Sequence, residues 1–357
     1  MKIDSIQLIK DLSNASGISG FEDEVLEVAR KYVKDMVSVE EDRIRNLYFH
    51  RKENTGNRPV VMIDGHSDEL GFMIQSIRSN GALKFLPVGG WQPQAVMGHK
   101  VRVRNTAGDY ITGVVAAKPP HFMPPEERDQ LVKIEDMIID VGATSKDDAV
   151  NNFRIEAGAP AVPDVRFQYD EKNDLMVGKA FDCRIGCAAV IETIMRLDGE
   201  SVQVDVVGTL SSQEEVGLRG ARVSSRKTKP DVAIIFEGTP ADDLFKDEHA
   251  AQGRMKCGPQ IRHMDRSMIS NPRFVKFARD IAKKMDIKFQ DAVRRSGGTN
   301  GSAVNLSGHG IPAIVIGIPV RYIHSHFGFA AMADYNGAVE WCCEIIRQLD
   351  PTAIDGF

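Results

Sequence analysis

Residues 206–221 read VVGTLSSQEEVGLRGA, and this stretch decides the fold. Val202, Val204, Val206 and Val207 form a β-branched run with the composition of a buried strand. The run gives way to a small polar loop carrying Glu214 and Glu215. Side chains of neighbouring residues diverge on an extended or turning backbone. One carboxylate can therefore ligate a cation while the other faces a water as general base. Taken alone, an acidic pair reads as a solvated loop, because acidic side chains are mostly exposed. What the pair means depends on what the other strands of the chain run into.

Outward from this stretch, strands and helices alternate. Residues 231–236 (DVAIIF) and 311–317 (IPAIVIG) read as strands, with helices predicted over about 271–285 and 330–349. The last helix is amphipathic through Met332, Tyr335, Val339, Cys342, Ile346 and Leu349. Upstream, a short strand ends at Asp182, and a helix follows with Val190, Ile191, Ile194 and Leu197 inward. PVVMI at 59–63 is a further strand leading straight into DGHSDE at 64–69. Helices are predicted over 4–15 and 21–37. The second has Val25, Ala29, Tyr32, Val33 and Met36 on one face and a capping box from Ser19 and Glu22. The alternation predicts an α/β fold, a three-layer sandwich with a mostly parallel central sheet. Residues 72–165 have another texture. Short alternating runs at 100–104, 110–115 and 137–141 are split by Gly, Pro and Asn, which predicts a small β-rich inserted domain. Residues 1–71 and 166–357 then make the catalytic domain.

Composition sets bounds on partners. At 357 residues the chain exceeds the size of a single core, and 42% apolar residues can fill a large one. A net charge of −5 with no basic tract speaks against nucleic acid and against a lipid surface. The longest apolar stretch, 311–320, is too short to span a bilayer and is broken by proline. The N-terminal MKIDSIQLIKDLS reads as a surface helix rather than a secretion signal. Cys183, Cys187, Cys257, Cys342 and Cys343 read as free thiols of a reducing compartment, so a cytoplasmic location is expected. Three residues separate Cys183 from Cys187, one more than in a zinc knuckle, so no cysteine metal site is expected there.

Five potential ligands stand where apolar strands run into loops: His66, Asp182, Glu215, Glu237 and His324. Sites in open α/β sheets form at strand ends, where residues distant in sequence converge. Two imidazoles and three carboxylates suit a pair of borderline divalent ions such as zinc or cobalt, with one carboxylate able to bridge both. Such ions, about 3.5–4 Å apart, hold a shared hydroxide and clamp a tetrahedral intermediate. Singly, each residue has a plainer reading: a hydrogen-bonded structural histidine, or a helix N-cap for Asp182. Together, five matching contexts favour the site.

These residues lie in motifs that are similar to those of the M42 family of dinuclear metallo-aminopeptidases. The resemblance covers nearly the whole chain and includes GHSDELGFMI at 65–74, GGWQPQAVMGHKV at 89–101, KPPHF at 118–122 and IDVGA at 139–143. KAFDCRIG at 179–186, SSQEEVGLRGA at 211–221, SGGTNGSAVNLSGHGIP at 296–312 and IPVRYIHS at 318–325 complete it. The resemblance implies that His66 and Glu237 hold one metal, Glu215 and His324 the other, and that Asp182 bridges them. It implies Glu214 as general base and Asp68 as the carboxylate that orients His66. The implied cofactors are two divalent ions, zinc or cobalt and, as a third candidate, manganese. The implied activity is release of N-terminal residues from short peptides by a water activated between the ions. The insert resembles a PDZ-like dimerisation domain that builds a dodecamer.

The chain departs from the family pattern at four positions. Glu237 stands in place of Asp, Cys183 in place of a second Asp, Asn300 in place of Asp and His326 in place of Pro. Asn300, Arg321 and His326 are candidate substrate contacts. For Arg321 a surface salt bridge, and for His326 a place on the rim, are the competing readings. Amidohydrolysis of acylated amino acids or small peptides and a non-catalytic scaffold stand as alternatives. Endoglucanase activity ranks last, because a glycosidase leaves the histidine pair unexplained.

Overall fold

The computed structural model describes residues 4–128 and 130–357, so Met1, Lys2 and Ile3 of the expected N-terminal helix lie outside the described residues. The runs rich in Val, Ile and Leu become strands, and the strand ends fix where the polar residues gather. Three strands come first: β1 (Val37–Glu41), β2 (Leu47–Arg51) and β3 (Val60–His66). Six follow: β4 (Gly71–Ile77), β5 (Leu83–Val88), β6 (Lys100–Arg104), β7 (Tyr110–Ala116), β8 (Ile138–Asp140) and β9 (Pro160–Pro163). These six close into a barrel in the order β4-β5-β8-β7-β6-β9. Phe72, Leu83, Phe85, Val101, Val103, Val115 and Ile139 fill its own core.

After the barrel come β10 (Gln168–Asp170), β11 (Leu175–Gly178), β12 (Asp205–Ser211), β13 (Val232–Pro240), β14 (Gln260–Met264), β15 (Gln290–Val293), β16 (Ala313–Val320) and β17 (Gly328–Ala330). The central sheet has eight strands in the order β1-β2-β12-β3-β13-β16-β14-β15. It is mixed. β12, β3, β13 and β16 run parallel through the middle, and β14 and β15 are parallel to each other. The β1–β2 hairpin, the β2–β12 pair and the β14–β16 pair are antiparallel. The mostly parallel expectation therefore describes the centre of the sheet, and the edges depart from it: a short hairpin loop joins β1 to β2, whereas β2–β12 and β14–β16 pair antiparallel across long connections.

Period-2 alternation divides the central strands between two layers of helices. Val61, Ile63, Ile234, Phe236, Ile314 and Ile316 belong to the larger core, which includes residues of the helices Ser5–Asn14, Asp23–Val33, Phe181–Arg196, Pro272–Lys284 and Met332–Gln348. Met62, Ala233, Ile235, Ala313 and Val315 point the other way, with Ala221 and Val304 of the helices Arg219–Thr228 and Asn300–Asn305. The expected capping box is corrected. Helix Asp23–Val33 has Glu22 as N-cap without a side-chain cap bond, and the Ser19 hydroxyl donates instead to Asp68 Oδ2 at 2.6 Å.

Candidate metal centre

Parallel register brings the polar ends of the central strands to one level. Ser211 of β12 pairs with His66 of β3, and Glu237 of β13 stands two residues past the Ile235–Asp64 pair. Glu214 and Glu215 follow β12 in a turn that opens at Gln213 with φ 54°. Asp182 sits in the first turn of Phe181–Arg196 with non-helical φ/ψ. The chain kinks at Asp182 and Cys183 before the regular helix begins, and the Asp182 oxygens turn to two imidazoles. His324 arrives from the loop after β16.

The convergence is close. His66 Nε2 lies 2.9 Å from Asp182 Oδ1, and His324 Nε2 lies 3.3 Å from Asp182 Oδ2, so the two oxygens of one carboxylate serve two imidazoles. Glu237 Oε1 is 3.4 Å from His66 Nε2. Three overlapping groups have ligand atoms within 4.8 Å of one another: His66, Asp182, Cys183 and Glu237; His66, Glu214 and Glu215; and Asp182, Glu215 and His324. Glu214 and Glu215 thus both bring an oxygen to the His66 side. Cys183 enters the first group from a position where no cysteine ligand was expected; its Sγ donates to Phe236 O at 3.3 Å.

Electrostatics show what this cluster needs. Burial, followed by the neighbouring Asp182, pushes the Glu215 carboxyl up to about 8 and that of Glu237 up to about 7. Burial likewise drives Glu214 well above the usual carboxylate range, with Glu237 and Glu215 adding repulsion. The Asp182 hydrogen bond lifts His324 to about 10. Among the described residues none of these carboxylates is paired with Lys or Arg, and the buried Glu215 Oε1 and Glu237 Oε1 have no hydrogen-bond partner. Buried anionic oxygens without donors are costly. Imidazole nitrogens and carboxylate oxygens aimed at one another are the donor set of a borderline divalent cation. The residues present fit such a group.

A second layer of polar side chains holds the cluster in place. His66 Nδ1 is 3.2 Å from the Asp68 main-chain O and 3.4 Å from its Oδ1. The Asp68 carboxylate also accepts from Glu214 N at 2.9 Å and Glu215 N at 3.1 Å, tying β3 to the acidic loop. Behind them, Lys179 Nζ contacts both oxygens of Glu69 at 2.5 and 2.6 Å, and Arg184 donates to Ser67 O, Leu12 O, Ala15 O and Gly17 O. The barrel contributes too. A Cβ on Gly89, which has φ 83°, would meet Leu70 Cδ2 at 2.1 Å and Glu215 Oε2 at 3.2 Å, so only glycine fits.

Above the cluster opens a cleft whose walls include Gln92, Glu214, Glu215, Arg262, Arg294 and Gly298. The structure places three sequence-predicted contacts outside its lining. Arg321 forms a two-armed ion pair with Asp243 at 2.6 and 3.0 Å, the salt-bridge reading. Asn300 is buried and donates from Nδ2 to Asp64 Oδ2 at 2.8 Å, beneath the sheet end. His326 is 1% exposed and stacked on the barrel, so it is no rim residue. Lys179, Arg184, Asp64, Arg262 and Arg294 were not singled out from sequence. Lys179 and Arg184 flank Asp182 within one short segment, but no local signal shows that both turn to Glu69.

A mixed α/β sheet whose parallel strands deliver buried carboxylates and imidazoles to the floor of an open cleft defines a hydrolase-type centre built to hold cations. The family profile described as M42 glutamyl aminopeptidase matches residues 46–341. The glutamyl aminopeptidase of Lactococcus lactis is 30% identical over 344 residues, 96% of this chain and 96% of that protein. The TET aminopeptidase of the marine sediment archaeon Thaumarchaeota superposes with a TM-score of 0.95 at 37% identity, covering 99% of both chains. The Pyrococcus horikoshii TET1 peptidase, which can assemble into a tetrahedron or a large octahedral shell, gives a TM-score of 0.87 at 26% identity over 97% of this chain and 100% of that one. The chain belongs to the M42 peptidase family. It is an aminopeptidase, a hydrolase that acts as an exopeptidase.

Proposed function

We propose that this aminopeptidase removes N-terminal residues from short unblocked peptides and uses two divalent cations to do so. The observation that carries this reading is Asp182, whose two oxygens lie 2.9 and 3.3 Å from two separate imidazoles. His66 and Glu237 would hold one ion, Glu215 and His324 the other, and Asp182 both. Zinc or cobalt suits this donor set, with manganese a third candidate. When bound, the ions polarise the scissile carbonyl and lower the pKa of the attacking water. Glu214 takes the proton of that water at its carboxylate and returns it to the departing amine, a contribution of about 10²–10⁴-fold. Asp68 fixes the orientation of His66 and the placement of the Glu214–Glu215 peptide through the bonds described above.

The barrel, as part of an inserted domain spanning 72–165 between catalytic segments 1–71 and 166–357, would carry PDZ-like self-association leading to a dodecamer. Supporting this, the segment from β4 to β9 leaves Leu86 and Met97 each 47% exposed and Phe122 and Leu131 each 73% exposed, apolar surface suited to an interface. The five free cysteines support a cytoplasmic location.

Elemental analysis tests the reading. Two equivalents of divalent metal per chain are expected, with activity lost on chelation and restored by Zn²⁺, Co²⁺ or Mn²⁺. Undiminished hydrolysis after complete metal removal would overturn it.

A further inference from the structure

His326 lies two residues past His324 but takes no part in the cleft lining. Its ring is 1% exposed, and neither ring nitrogen has a hydrogen-bond partner among the described residues. It stacks on His99 with centroids 4.1 Å apart and planes at 16°, and leans on Trp91 at 5.0 Å. Trp91 is in turn stacked on Phe72 at 4.9 Å and donates from Nε1 to Gly71 O at 3.0 Å. His99, Trp91 and Phe72 all come from the barrel segment. The His326 ring is therefore a peg that joins the loop after β16 to the edge of the barrel core.

That loop needs an anchor. Tyr322 has φ 62° and His324 φ 59°, a left-handed conformation that residues other than glycine keep only when their surroundings hold them there. The Ser325 hydroxyl is engaged within the loop itself, by Tyr322 O at 2.7 Å and Phe327 O at 2.9 Å. Next to Trp91, the Gly90 carbonyl lies 2.9 Å from His324 Nδ1, which leaves Nε2 facing Asp182 Oδ2. The barrel segment 89–92 thus touches both histidines of the loop: His326 through the tilted ring of Trp91, His324 through a main-chain oxygen.

We propose that His326 is a positioning residue, whose stack with His99 and Trp91 locks the loop 321–327 onto the barrel and so presents His324 Nε2 to the cation side of Asp182. The inference rests on the two-cation reading above. It assigns His326 the role of a flat ring, since neither nitrogen is used. A phenyl ring can fill that role and a methyl group cannot.

The test is a titration of Co²⁺ into the metal-free full-length protein, followed by calorimetry and by the visible absorption of bound cobalt. The wild type should bind two equivalents. His326→Ala should weaken one equivalent by about 10–100-fold, the usual range for losing support behind a ligand, and leave the other unchanged. His326→Phe should restore the wild-type isotherm. His99→Ala, on the barrel side of the stack, should give the same one-sided loss, and it answers the question should His326→Ala fail to fold. Wild-type isotherms for both alanine variants, equal weakening of both equivalents, or no restoration by phenylalanine would each overturn the proposal. A wild type that binds no cobalt would instead contradict the cation centre itself, and this inference with it.

Discussion

Asp68 faces no part of the cleft, yet its carboxylate holds together the two halves of the centre. It accepts from the Ser19 hydroxyl and from the amides of Glu214 and Glu215 while it stands beside His66. Asp68→Asn replaces one acceptor oxygen by a donor and leaves at least one of these N–H or O–H groups unpaired in a buried place. A loss of about 10–100-fold in cation affinity is expected, measured by competition with a chelating dye. Glu214→Gln should act differently. It keeps the size of the side chain and removes the basic oxygen, so metal content should stay at the wild-type level while kcat falls by about 10²–10⁴-fold. If kcat stayed near wild type, Glu214 would not be the base. Glu214 and Glu215 began as an undifferentiated pair, and a single sequence separates their roles only through resemblance. The structure adds that both reach the His66 side, while Glu215 also reaches Asp182 and His324.

At the level of elements, the site depends on strands ending in register and on a buried ionic lattice that holds the turns after them. Lys179 and Glu69 are each 1% exposed, and Arg184 is fully buried. Lys179→Met removes the closest partner of Glu69 and leaves one cation, Arg184 Nη2 at 3.2 Å, with the Gly17 amide at 3.0 Å, both on the same oxygen. A destabilisation of about 3–5 kcal/mol is expected, read from chemical denaturation. Lys179→Arg should recover part of that loss. The strand ends at His66, Glu215 and Glu237 were legible because long apolar runs announce central strands and the residue after each run must lie near the sheet end. The lattice was not. Nothing in the linear order of Lys179, Glu69 and Arg184 reveals that they meet, because their pairing is made by tertiary packing of helix Phe181–Arg196 against the β3 turn. The capping box failed for the same reason: Ser19 finds Asp68, 49 positions away, a better partner than its own helix.

On the scale of the whole molecule, the barrel and the sheet share the centre. Gly89 and Gly90 bring barrel backbone against Glu215 and His324, so the barrel shapes the active cleft. Its alternating runs made a small β-rich unit legible, although closure into a six-stranded barrel and its approach to the site are three-dimensional facts without a local signal. On a strand-like backbone a histidine two residues past a ligand shares that ligand's face, which suggested a substrate contact, and the usual partial exposure of histidine suggested the rim; this loop turns left-handed at His324 and carries His326 onto the barrel instead. In solution the assembled particle should sediment well above the 39.4 kDa of one chain. Charged substitutions at Phe122 and Leu131 should shift it toward smaller species. An unchanged sedimentation profile would place the interface elsewhere. The most direct test of the central claim is a matched pair of short peptides, one with a free N-terminus and one acetylated, each incubated with the metal-loaded protein and followed by mass spectrometry. Stepwise loss of N-terminal residues from the free peptide alone is the expected result; equal cleavage of the acetylated peptide would contradict the account.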